Sequence, residues 1–93
     1  MSYYYKHNYN FSYHGLQRCR ERLNLKDAAD YEVKAAVMEH IRKSTKSFEI
    51  GREIYISASN TDIYFIIDKT SNLIITATKV SAEKQLSLMS REW

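Results

Sequence analysis

The chain has 93 residues, 44% of them hydrophobic and 27% charged, with a formal net charge of +3. That length closes one modest core and excludes a second domain or a deep cofactor cleft. The longest apolar runs, at 63–67 and 73–77, fall well short of the ~20 residues that span a bilayer, and no charged segment followed by an apolar stretch opens the chain. A cytoplasmic protein without membrane contact is therefore expected. Cys19 is the single cysteine, which excludes an internal disulfide and a cysteine-based zinc cluster, so neither metal nor cofactor is expected.

Charge is unevenly placed. Residues 1–46 carry nine Lys or Arg against five Asp or Glu, whereas residues 47–93 carry five against six. A basic front half is an electrostatic footprint for phosphates, and it would equally steer an acidic protein partner.

Residues 1–11 form a tyrosine-rich segment ahead of a single domain at 12–93. Tyr3, Tyr4, Tyr5, Tyr9 and then Tyr13 could stack on bases, as aromatic platforms do in single-strand binders; tyrosine is also a common cover for cores and sheet edges. Ser12 is a good N-cap, and Leu16, Cys19 and Leu23 follow at helical steps, which predicts a first helix over 13–23. Asp27 or Asp30 can cap a second helix, with Ala29, Val33, Ala36, Val37, His40 and Ile41 along its apolar stripe and Lys34, Arg42 and Lys43 off it.

After Ser47 the period changes to alternation among β-branched residues. Three strands are predicted, at 48–57, 62–68 and 72–79, with the middle one apolar on both faces and therefore central. Ser81 then opens a short amphipathic helix with Ala82, Leu86 and Met89 on one side. The expected fold is α+β: two N-terminal helices packed on a three- or four-stranded antiparallel sheet, with a short C-terminal helix.

His14, Arg18 and Arg22 recur every fourth residue, so on a helix they form one slowly drifting stripe. Arginine forks bind phosphate oxygens in parallel hydrogen bonds, and histidine exchanges protons near neutral pH. Together they supply what phosphodiester chemistry needs. A charged helix face is also what any amphipathic helix turns to water. Arg20 lies on another azimuth and reads as merely solvated, His40 as a packed imidazole, and Cys19 as a small core residue.

The pattern His14-x3-Arg18-x3-Arg22, two helices, and a meander ending in Leu73-Ile74-Ile75-Thr76-Ala77-Thr78 resembles a family of small bacterial and phage domains of unknown function. That family is similar to RelE/ParE-type toxins and to the group uniting barnase, colicin-type tRNases and polymorphic-toxin RNases. The resemblance covers roughly residues 11–80. It implies a toxin-like, metal-independent endoribonuclease of bacterial or mobile-element origin, held in check by an antitoxin or immunity protein. Its RNA, free, ribosome-bound mRNA or tRNA, would lie across the sheet and the first helix.

By the same resemblance His14 would be the acid/base, Arg18 and Arg22 phosphate clamps, and Thr76 or Thr78 a hydroxyl aimed at the phosphate from the last strand. Arg52, Thr78, Lys79 and Tyr13 would be further RNA contacts. Where the family has Ala after the histidine and Gly after the second arginine, this chain has Gly15 and Leu23. Gly15 costs ~1 kcal/mol of helix propensity relative to Ala unless the helix must approach something closely. The alternatives are a non-catalytic phage or plasmid accessory module that grips nucleic acid or a host protein, and a structural protein that dimerises through its C-terminal helix and Trp93.

Overall fold

Alternation and helical periodicity place most elements where the sequence does. A computed structural model describes residues 9–59 and 61–80. In chain order the elements are β1 (Asn10–Phe11), α1 (Tyr13–Arg22), α2 (Asp30–Lys43), β2 (Ser47–Ile50), β3 (Glu53–Ser57), β4 (Ile63–Asp68) and β5 (Leu73–Lys79). Two N-terminal helices thus pack on a five-stranded mixed sheet of order β1-β5-β4-β3-β2. The helix expected from Ser81 lies outside the described residues.

Two departures make the sheet five-stranded and mixed where three or four antiparallel strands are expected. The single strand predicted at 48–57 is a hairpin, because Ile50 pairs with Glu53 around a two-residue turn whose first residue, Gly51, has φ 57°. Glycine at that position matches the twist of the flanking strands at no steric cost. The second departure is β1, which pairs in parallel with β5, Asn10 with Leu73 and Phe11 with Ile74. Tyr9 beside it is 6% exposed and belongs to the core, so this tyrosine fills space and is no stacking platform.

Ser12 caps α1 as its sequence predicts, accepting from the Gly15 amide at 2.9 Å. The helix ends in a reciprocal pair of bonds, Asn24 N–H to Glu21 O and Leu25 N–H to Arg20 O, with Asn24 at φ 56°. This left-handed stop satisfies carbonyls that would otherwise be orphaned. The second helix begins one step differently from expectation: Ala29 is the N-cap residue and Asp30 the first helical one, while the Glu32 carboxylate accepts from the Ala29 amide at 3.0 Å.

The inner face of the sheet meets both helices. Leu16 and Cys19 of α1 and Val33, Val37 and Ile41 of α2 close over Ile54, Ile56, Phe65, Ile67, Ile74 and Ala77. A second apolar cluster, Tyr55, Tyr64, Ile66 and Val80 with half-buried Phe48, Ile50 and Ile75, occupies the opposite face. Between the pairs Ile67–Ile74 and Ile66–Thr76 the strand β5 carries one extra residue, Ile75. This bulge puts Thr76 and Thr78 opposite Ile66 and Tyr64, on the outer face.

The α1 helix also closes the edge of β5 beyond the two residues that β1 covers. The Ile74 carbonyl accepts from the Ser12 amide at 3.2 Å and lies 3.3 Å from the Ser12 hydroxyl, which donates to it. Further along, the Ala77 carbonyl accepts from Arg22 Nε at 3.3 Å. A Cβ on Gly15 would stand 2.0 Å from the Ile74 oxygen. Glycine is thus the residue that lets the helix approach this edge, which accounts for its place in the first turn.

Candidate functional site on the first helix

The α1 face turned away from the core carries the predicted stripe. Arg18 Nε donates to His14 Nε2 at 3.3 Å, so the neutral imidazole holds its proton on Nδ1. Arg18 Nη1 also reaches Glu21 Oε1 at 3.2 Å, with both side chains roughly half exposed, at 43% and 57%. An ion pair that open to water is worth about 0–1 kcal/mol, and an incoming phosphate can displace it. Tyr13, 82% exposed, extends the same surface at the start of the helix.

Arg22 divides its donors. Nε is spent on the Ala77 carbonyl; among the described residues both Nη groups remain for an anion. Lys79, exposed at the end of β5, follows the carbonyl that Arg22 holds by two residues. The Gly15 approach and the Ser12 cap fix α1 against β5, so the stripe rests on a rigid element.

Not every predicted member joins it. Thr76 and Thr78, both half-buried, share the outer face with Ile66 and Tyr64, whereas α1 packs against the inner face and the edge. Arg52 sits in the β2–β3 turn, where its carbonyl accepts from the Lys69 amide at 2.8 Å, with β3 and β4 between it and β5. It lies toward the same end of the sheet as His14 but across it.

Arg20, which reads as solvated in the sequence, is the arginine most engaged in structure. Its guanidinium donates to the Ala28 carbonyl and to the Asp30 carboxylate, with the side chain 15% exposed. It ties the end of α1 to the start of α2. Nothing local announces this, because the partners lie eight and ten residues on, across a turn. Glu21, the acid that holds Arg18, was legible as an i,i+3 neighbour.

Cys19 is fully buried, and desolvation pushes its thiol up to about 12, so it stays protonated and unreactive near neutral pH. His40 belongs to a different arrangement at the other end of the sheet. Its Nδ1 meets the Ser59 hydroxyl at 2.9 Å, and its carbonyl accepts from the Ser59 amide at 3.1 Å. The Ser57 hydroxyl donates to the Ser59 carbonyl at 2.5 Å and meets the Ser44 hydroxyl at 2.6 Å. This chain of hydroxyls latches the end of α2 to the β3–β4 turn, where Ser59 holds φ 55°.

Among the described residues no three His, Cys, Asp or Glu side chains cluster to hold a metal ion, and no helix is long and apolar enough to cross a membrane. No protein-family model, curated protein or solved structure matches the chain.

Proposed function

We infer that the chain is a toxin-like endoribonuclease that engages RNA through the exposed face of α1 and cleaves it without metal. The observation that carries this reading is the contact between His14 and Arg18, which couples the one imidazole of that face to a guanidinium. Arg18 has two weak partners, the His14 nitrogen and the Glu21 carboxylate. A phosphodiester competes with both. Once Arg18 turns to phosphate, Nε2 of His14 is released as a base for the adjacent 2′-OH, which then attacks phosphorus. Arg18 and the Nη groups of Arg22 neutralise the charge that builds on the phosphorane. Water or the protonated imidazole returns a proton to the leaving 5′-oxygen.

The test is incubation of purified protein with total RNA and with translating ribosomes in EDTA, beside His14→Ala. Cleavage by the wild type, lowered about 10²–10⁴-fold in the variant, is the expected result; undiminished cleavage removes His14 from the mechanism.

A second reading is a non-catalytic RNA-binding module, and the outer-face position of Thr76 and Thr78 favours it. In that case RNA binding weakens steeply with salt while no product forms. An antitoxin or immunity partner belongs to the first reading, and the exposed α1 face is where an acidic one would compete with RNA.

A further inference from the structure

We propose that the groove between β1 and α2 is a base-binding subsite, taking one nucleobase of single-stranded RNA beside the phosphate held on α1. Tyr9, Asn10 and Phe11 form one wall of a cavity of about 520 Å³, and Lys34, Ala35 and Met38 form the other. That volume lies within the roughly 300–1,000 Å³ of small-molecule sites, and the lining has their make-up, apolar and aromatic with a few polar groups. Lys34 and Met38 stand one helical turn apart on α2, which sets an ammonium and a polarisable thioether along the same side of the groove.

Two observations point to a nucleotide. The first is the Lys34 ammonium, 6.0 Å from the centroid of the Phe11 ring, the outer limit of a cation–π contact. Lys34 is exposed, and among the described residues it has no carboxylate partner. A nucleotide serves both groups at once, with a flat base for the ring and a phosphate for the ammonium. Asn10, also exposed, carries amide donors and a carbonyl acceptor that can meet a base edge.

The second is position. Phe11 precedes His14 by three residues, so their Cα atoms are at most about 11 Å apart. Tyr13, 82% exposed, stands between them in the chain. Aromatic rings interleaved with cations along one path are how proteins track a single strand. The subsite rests on the reading of α1 as an RNA surface, and its test separates the two.

The probe is a 2′-O-methyl RNA tetranucleotide, which resists cleavage because it lacks the attacking hydroxyl. It is titrated into the full chain while amide chemical shifts are followed on α1 and at Asn10, Phe11, Lys34, Ala35 and Met38. Saturable shifts in both sets are expected, and an abasic residue at one position of the probe abolishes the groove shifts while sparing those of α1. Phe11→Leu keeps an apolar side chain without the ring and weakens binding about 5–150-fold, the loss of one stacked base. Lys34→Gln lowers the salt slope by about 0.7, one phosphate contact on a single strand.

Shifts on α1 alone overturn the subsite and leave the RNA reading standing. Shifts in the groove alone support the subsite and count against α1. Shifts in neither set overturn both. Groove shifts with free nucleoside monophosphates but not with the tetranucleotide also overturn the proposal, since the groove would then serve a free nucleotide. Should Phe11→Leu unfold the chain, the exposed Lys34→Gln decides: an unchanged salt slope overturns the subsite.

Discussion

The described fold holds two histidines on two helices, wired in opposite ways. His14 lies on an exposed face and is held by one long contact from Arg18, itself shared with Glu21. His40 is half-buried, is bonded through Nδ1 to Ser59, and has the Phe65 ring at 6.5 Å. The first can exchange its partner for a ligand without disturbing the fold. The second cannot, because its partner Ser59 is itself held in the fold, its carbonyl accepting from the Ser57 hydroxyl, which in turn meets the Ser44 hydroxyl. Chemical availability of a side chain is set by how readily its partners can be replaced.

The contrast is broken most directly by truncating each imidazole. We predict that His14→Ala loses about 10²–10⁴-fold in RNA cleavage with an unchanged melting temperature. By the same logic His40→Ala keeps its activity per folded molecule and loses about 1–3 kcal/mol of stability. Thermal melts beside a cleavage assay separate the two outcomes, and equal effects of both substitutions would erase the distinction.

Alkaline titration probes the core between these regions. Burial lifts the Cys19 thiol from 9.0 to about 12. A folded-state value raised above the unfolded one contributes stability that is complete below about pH 9 and is lost as pH rises through the folded value. Three units correspond to at most about 4 kcal/mol. Burial also raises Tyr64, and burial followed by the charge of Glu53 raises Tyr55, so both tyrosines act in the same direction. Denaturant melts from pH 8 to 11 should fall steadily, and Cys19→Ser should flatten the part due to the thiol.

Gly15→Ala attacks the support of the His14 face. The new methyl collides with the Ile74 oxygen, and the strain of about 1–3 kcal/mol exceeds the 0.5–1 kcal/mol that alanine gains in helix propensity. A lower melting point together with reduced RNA cleavage is expected; a more stable protein would mean that α1 does not press on β5. The smallest effect is Glu21→Gln. It frees Arg18 from an exposed pair worth at most about 1 kcal/mol, so RNA affinity rises by up to about five-fold at low salt, measured by titration.

Both helices were legible because Ser12, the Leu16–Cys19 step and the Val33–Val37–Ile41 stripe are local signals, and the His14–Arg18 contact follows from i,i+4 geometry alone. The Gly51-Arg52 turn carried a signal in its glycine, hidden inside an alternating run. By contrast β1 is two residues with no period of its own, created by the unpaired edge of β5. The site was legible where it lies on one helix. It was not where tertiary pairing decides, as for Arg20, recruited by Asp30, or for Thr76 and Thr78, whose facing depends on a bulge.

That bulge has a larger reach than its one residue. Side chains on a strand alternate, so Ile75 resets the parity of everything after it. Were Ile75 paired with Ile66 in an unbulged ladder, Thr76, Thr78 and Val80 would turn toward the helices and Ala77 toward the outside. The chain would then leave the sheet on the side that α1 and α2 already fill. Deleting Ile75 would remove the bulge and leave Thr76, Thr78 and Val80 facing outward as they do now, so it is the unpaired seating of the extra residue, and not its mere presence, that sets the side by which the strand ends.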